Sequence, residues 1–87
     1  MFLSTLFMLV TISLFSQVKG IVKDASNGEP LIGASVLVKG TTVGTVTGLD
    51  GDFTLDAKAG DVLQISYTGF SNQDVTVPED LMIEVEL

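Results

Sequence analysis

The sequence contains no cysteine and no histidine, and its four basic residues are all lysine. Without cysteine there is no disulfide framework, no thiolate zinc site, no cysteine nucleophile and no lipid-bearing cysteine anchor. Without histidine the chain lacks the commonest metal ligand, the usual base of a serine hydrolase and the commonest proton shuttle near neutral pH. An enzymatic function would therefore depend on carboxylates, Tyr67 or lysine. We expect no enzyme activity and no cofactor.

Basic charge is also scarce, because four lysines face eleven acidic residues and give a net charge of −7. Nucleic acids are bound by clustered Lys and Arg that displace counterions from the phosphates, so this chain is a poor nucleic-acid binder. An acidic surface is typical of a soluble, exported module that does not adhere to its neighbours.

The first charged residue is Lys19, and the segment before it is rich in Leu, Phe, Val and Ile. We interpret residues 6–15 as the apolar region of a secretory signal peptide that spans residues 1–16, with cleavage after Ser16. The alternative is a membrane anchor or a buried strand, but the apolar run is shorter than the roughly 20 residues that span a bilayer. The remaining residues, 17–87, are enough for one small domain.

From Val18 onward, apolar and polar residues alternate with a period of two, which predicts strands rather than helices. We expect Phe53 and Leu55 to point into the core, with Leu63, Ile65 and Tyr67 of a later strand. Six or seven short strands separated by turns predict an all-β fold, a small antiparallel Greek-key sandwich or barrel. The predicted strands are 18–23, 34–39, 43–47, 52–56, 62–68, 73–77 and 82–87.

The stretch GTVTGLDGDFTL, residues 44–55, contains the clearest turn. Asp50-Gly51 offers the positive φ angles that allow two extended segments to fold back on each other, so we expect this turn to set the register of a hairpin.

Three acidic residues near this turn, Asp50, Asp52 and Asp56, are weak candidates for a calcium site, because calcium prefers several carboxylate oxygens from one loop. The spacing lacks the closing Glu of an EF-hand, and alternation distributes Asp52 and Asp56 along one strand face. Solvated carboxylates are the favoured interpretation, so we expect no metal site. The same exposed positions argue against a catalytic pair of carboxylates.

Two other local patterns have structural explanations. The glycines of GTTVGTVTG do not form a phosphate loop, since no GK[ST] follows and no helix begins there. Tyr67 and Phe70 are either a platform for a sugar ring or, as we favour, a closure of the core.

The strings VKGIVKD, NGEPLIGASVLVKGTT, GTVTGLDGDFTL, AGDVLQISYTGF and QDVTV together resemble the carboxypeptidase-regulatory-like domain. That family has a transthyretin-like sandwich fold, and the resemblance covers the whole predicted mature chain. Its motif is matched here at turn and core positions: Gly20, Asp24, Gly28, Pro30, Leu31, Gly33, Ala34, Gly40, Thr41, Gly44, Thr45, Asp50, Gly51, Phe53, Gly60, Tyr67, Gly69 and Phe70. Gly48 departs from it, because the family often has an acidic residue there.

In TonB-dependent outer-membrane transporters of the SusC/RagA type, this module directly follows a signal peptide. The resemblance therefore implies a non-catalytic periplasmic module of a transporter that imports glycans or peptides. Its expected partners are the plug and barrel of the transporter and the periplasmic energy-transducing proteins. The alternative is a free-standing secreted domain that binds carbohydrate or protein, because the same module occurs in other surface proteins.

Overall fold

The computed structural model describes residues 16–87, and the predicted signal peptide lies outside this range except for Ser16. Within these residues the chain forms seven β-strands, as the alternation predicted. Residues 16–87 contain no helix that is long and apolar enough to cross a membrane, which takes at least 18 residues. The strands are β1 (Gln17–Lys23), β2 (Ser35–Val38), β3 (Gly44–Val46), β4 (Asp52–Asp56), β5 (Val62–Ser66), β6 (Gln73–Thr76) and β7 (Met82–Glu86).

The strands form two sheets, one with the order β4-β1-β7 and one with the order β3-β2-β5-β6. This arrangement confirms the predicted all-β class. Most pairs are antiparallel, as predicted, but β1 and β7 run parallel, which differs from the predicted antiparallel arrangement. After β6 the chain leaves the four-stranded sheet through a turn at residues 78–81 and enters the other sheet beside the start of β1. The Lys19 N–H then donates to the Leu81 carbonyl, with an N···O distance of 3.0 Å, so both strands start at the same end.

The expectation of a hairpin at residues 44–55 is wrong. β3 pairs with β2, whereas β4 pairs with β1 in the other sheet. The turn at residues 48–51 therefore carries the chain from one sheet to the other. Within the turn, the Gly48 N–H donates to the Asp52 carbonyl and the Gly51 N–H donates to the Gly48 carbonyl, each over 2.9 Å. Of the Asp-Gly pair, Gly51 alone has a positive φ, 73°.

The core lies between the sheets and is built from the inward-facing residue of each alternating pair. Val18, Val36, Leu63 and Ile65 are fully buried, and Phe53 is 4 % exposed. Tyr67, predicted to be inward, is partly buried and packs at the margin of this core. Alternation therefore identified the inward faces, because side chains on a strand point to opposite sides in turn.

Candidate functional site

The turn at residues 48–51 is pressed against β1 and the loop that follows it. The Val22 N–H donates to the Gly51 carbonyl over 2.8 Å, and the Leu31 N–H donates to the Val22 carbonyl over 3.0 Å. A Cβ added to Gly51 would lie 2.6 Å from the Val22 carbonyl oxygen and 2.9 Å from Cβ of Pro30. Gly51 is thus required both by its φ angle and by the close approach of the backbone.

A β-bulge lies beside this turn, where Gly33 and Ala34 together oppose Thr47. The Gly33 N–H donates to the Thr47 carbonyl over 3.0 Å, and the Thr47 N–H donates to the Ala34 carbonyl over 2.9 Å. Gly33 has φ = 83°, the left-handed conformation that glycine adopts at the first position of a G1 β-bulge. The bulge lies at the end of the β2–β3 ladder, directly after the loop that contains Leu31.

Thr47 is the one buried polar side chain among residues 16–87, with 3 % exposure. Its Oγ1 accepts a hydrogen bond from the Ala34 N–H over 2.9 Å and donates to the Leu31 carbonyl over 2.5 Å. This residue was not identified from the sequence as functional or structural. Strand alternation places Thr45 and Thr47 on the same face of the strand, but it does not show that this face is buried or that Thr47 joins two loops.

Replacing Thr47 with valine should lower the free energy of unfolding by about 1 to 3 kcal/mol, because a buried N–H and a buried carbonyl lose their partner. Thr47→Ser is the matched control, since serine keeps the hydroxyl and removes one methyl group, worth about 0.8 kcal/mol. Urea denaturation of the two variants measures the difference. A Thr47→Val protein as stable as the Thr47→Ser protein would show that the hydroxyl contributes nothing.

Gly20 lies in the middle of β1 beneath the ring of Phe53. A Cβ at this position would be 2.5 Å from Cε1 and Cζ of Phe53 and 2.9 Å from the Ile83 carbonyl oxygen. The two residues are also paired across β1 and β4. The glycine therefore provides the space that the aromatic ring occupies.

The structure does not bring the three aspartates of the suggested calcium site together. Asp50 lies in the exposed turn, while Asp52 and Asp56 lie on β4 opposite Ile21 and Gln17 of β1. In the part of the chain that the structure describes, no group of three acidic residues is placed to hold a metal ion.

Two ion pairs among residues 16–87 join different strands: one links the neighbouring strands β1 and β7, and the other links the residue after β2 to β6, with β5 between them. Lys23 Nζ is 2.7 Å from a carboxylate oxygen of Glu84, and Lys39 Nζ is 2.6 Å from Oδ2 of Asp74. The hydrogen bond and charge of Glu84 raise the pKa of Lys23 above its ordinary value of 10.5. These contacts are exposed, so each contributes little to stability.

Asp24 organises the loop after β1. Its Oδ1 accepts hydrogen bonds from the Ser26 N–H over 2.8 Å and from the Ser26 hydroxyl over 2.7 Å. These bonds lower the pKa of Asp24 below its ordinary value of 3.8. The Asn27 Oδ1 accepts from the Glu29 N–H in the same manner, which shapes the loop that leads to Pro30.

These two shifts predict opposite pH dependences. The lowered pKa of Asp24 gives stability that is present above the unfolded-state pKa near 4 and lost as pH falls through the folded-state value. The raised pKa of Lys23 gives stability that is present below the unfolded-state pKa near 10.5 and lost as pH rises through the folded-state value. Thermal melts from pH 2 to 12 should show that Asp24→Asn reduces the loss on the acid side and Lys23→Gln reduces the loss on the alkaline side. An unchanged pH profile in either variant would contradict the corresponding assignment.

The aromatic pair lies at the end of β5. The ring centroids of Tyr67 and Phe70 are 5.7 Å apart with an interplanar angle of 56°, and both rings pack against the core. Gly69, with φ = 89°, forms the turn between them. The tilted, partly buried rings close the end of the sandwich and do not form a flat exposed platform.

The remaining motif residues lie in turns or at close contacts. Pro30 forms an isolated bridge with Lys23. A Cβ at Gly44 would be 3.0 Å from the Val36 carbonyl oxygen. A shallow depression on the outer face of the three-stranded sheet has Ile21, Lys19 and Glu84 among its lining residues, and none of its outward side chains is aromatic. Positive φ angles occur at Gly28, Gly33, Gly40, Gly51, Gly60 and Gly69.

These features define a small β-sandwich module whose distinctive residues set turns and packing. The model of the CarboxypepD_reg-like domain family matches residues 18–87. The chain belongs to this family, which confirms the resemblance noted from the sequence.

The chain is also similar to curated receptors. It is 48 % identical over 77 residues to the TonB-dependent receptor SusC of Bacteroides thetaiotaomicron, and the aligned region covers 85 % of this chain. It is 46 % identical over 63 residues to the TonB-dependent receptor P26 of Formosa agariphila, which covers 72 % of this chain. The chain spans 8 % and 6 % of the lengths of these relatives.

Proposed function

We propose that this chain is the N-terminal periplasmic module of a TonB-dependent outer-membrane transporter for nutrients such as glycans or peptides. The observation that carries the proposal is the 48 % identity to a TonB-dependent receptor across most of the chain. The family model matches residues 18–87, a range that includes all seven strands apart from Gln17, so the family similarity concerns the whole module. Its partners are then the plug and barrel of the same transporter and the periplasmic proteins that supply energy for import.

The module acts in this context without catalysis. Its relatives are receptors, and its acidic residues lie in turns or on outward strand positions. Hydrolase assays with peptide and glycoside substrates should give no turnover, and activity that disappears in Asp50→Asn or Asp52→Asn would contradict this role.

Genomic sequence beyond Leu87 tests the transporter assignment. A continuous reading frame that encodes a plug and a barrel would support it. A stop codon immediately after Leu87, without a downstream barrel, would contradict it and favour the free-standing secreted domain.

Export is tested by the mass of the mature protein. Cleavage after Ser16 predicts Gln17 as the first residue of a periplasmic or outer-membrane product. Gln17 is the first residue of β1, so cleavage of the Ser16–Gln17 peptide bond would place the new N-terminus at the start of the sheet and would remove the hydrogen bond that the Ala57 N–H donates to the Ser16 carbonyl over 3.1 Å. A product that retains Met1 would contradict the signal peptide.

A further inference from the structure

The two sheets have four edge strands, and the described parts of these edges differ in charge. β4 carries Asp52 and Asp56, β6 carries Asp74, and β7 carries Glu84 and Glu86. β3 carries no charge, and the sequence from Gly40 to Leu49 has no charged residue. Charged side chains are the usual protection of an edge strand against pairing with another chain, so β3 is the edge without that protection.

Exposed apolar side chains concentrate around β3. Of the six large hydrophobic residues that are exposed in residues 16–87, three lie in β3 or the residues that flank it, and a fourth, Ile32, precedes Gly33, whose N–H donates to the Thr47 carbonyl. They are Ile32 (51 % exposed), Val43 (42 %), Val46 (62 %) and Leu49 (80 %). We call residues 43–49 the docking edge.

The backbone of β3 presents hydrogen-bonding groups on its outer side. The Val38 N–H donates to the Val43 carbonyl, the Thr47 N–H donates to the Ala34 carbonyl, and Thr45 pairs with Val36. In an antiparallel ladder these alternate residues face β2, so the N–H and C=O groups of Gly44 and Val46 face outward. No strand in the described part of the chain pairs with them.

The charge beside the docking edge distinguishes among possible occupants. β3 lies beside β4, the edge of the other sheet, and β4 carries Asp52 and Asp56 without a lysine. A second copy paired about a twofold axis would bring its own Asp52 and Asp56 toward the same residues, which like-charge repulsion disfavours. A segment with Lys or Arg at alternate positions would instead meet these carboxylates with opposite charge.

We propose that the docking edge binds an extended, basic segment of another protein, which adds as a fifth strand to the four-stranded sheet. Main-chain hydrogen bonds to Gly44 and Val46 supply affinity. Val46 lies on the outward face of β3, where it contacts the apolar side chains of the segment, and the alternating basic side chains then lie on the opposite face, toward β4. The docking edge is a property of the sandwich itself and does not depend on the transporter context.

The test uses a ten-residue peptide of alternating Val and Lys, with a peptide of alternating Val and Glu as the control. Both are added to the 15N-labelled chain while amide shifts and amide hydrogen exchange are recorded. The Val-Lys peptide should shift the signals of residues 43–49 and slow exchange at Gly44 and Val46. Equal effects of the Val-Glu peptide, no effect of either peptide, or protection at β4, β6 or β7 instead would overturn the proposal. Protection of Gly44 and Val46 that rises with protein concentration alone would identify a second copy as the occupant and also overturn it.

Two proline variants locate the hydrogen bonds. Val46→Pro removes an outward N–H that β2 does not use, so the chain should fold and bind the Val-Lys peptide about tenfold more weakly, the ratio expected for a loss of about 1.4 kcal/mol. Thr76→Pro is the matched control, because Thr76 has the equivalent outward position on β6, and it should bind like the unmodified chain. If Val46→Pro does not fold, Val46→Lys replaces it and should weaken binding through repulsion of the peptide lysines. A folded Val46 variant that binds as tightly as the unmodified chain would overturn the proposal.

Discussion

Phe53→Ala should destabilise the sandwich by about 3 to 5 kcal/mol, because it removes a buried ring and leaves a cavity between the sheets. Phe53 is 4 % exposed, and the space beneath its ring is kept open by Gly20. A domain of this size has a stability of only several kcal/mol, so the variant should be largely unfolded near room temperature. Thermal melts followed by circular dichroism should show a midpoint at least about 12 °C lower. A midpoint within a few degrees of the unmodified chain would mean that Phe53 does not support the core.

The contact between Gly20 and Phe53 allows a sharper control. Gly20→Ala alone should cost about 1 to 3 kcal/mol, because the new methyl group overlaps the Phe53 ring. In a Phe53→Leu background the same substitution should cost less, since the ring edge is gone. A double-mutant cycle measures this coupling, and strictly additive effects would argue against the close packing of the pair.

Gly51→Ala should destabilise the domain by about 2 to 5 kcal/mol. A positive φ at a residue with a side chain costs about 1 to 2 kcal/mol, and forcing a methyl group into a filled space adds about 1 to 3 kcal/mol. Gly51 has φ = 73°, and its added Cβ would be 2.6 Å from the Val22 carbonyl oxygen.

Gly28→Ala is the matched control for this substitution. Gly28 has nearly the same φ, 75°, but an added Cβ would meet nothing within 4 Å. Gly28→Ala should therefore lower the free energy of unfolding by about 1 to 2 kcal/mol, through backbone strain alone. Urea denaturation of both variants separates backbone strain from steric overlap. Equal decreases in the free energy of unfolding would show that the turn at residues 48–51 accommodates the added methyl group without an energetic penalty.

Much of the candidate site was recognisable in the sequence as turn and core positions, but its contacts were not. The alternation around Phe53 and Leu55 identified the inward face of β4, and the glycines at residues 28, 51 and 69 identified turns. No pattern revealed that Thr47 joins Leu31 to Ala34, or that Gly20 makes room for Phe53. Each of these contacts joins residues that are at least 13 positions apart, so each depends on how the strands are placed.

The sequence by itself determined the strand content, the inward faces and the family, since these depend on local alternation, turn residues and a long motif. Tertiary structure alone decided which strands are neighbours: it separated β3 and β4 into different sheets and set β7 parallel to β1. It also left β3 as an uncharged edge beside the acidic β4. The physical reason is that alternation along one strand determines which of its faces is buried, whereas the identity of the neighbouring strand depends on how two whole sheets pack around one core.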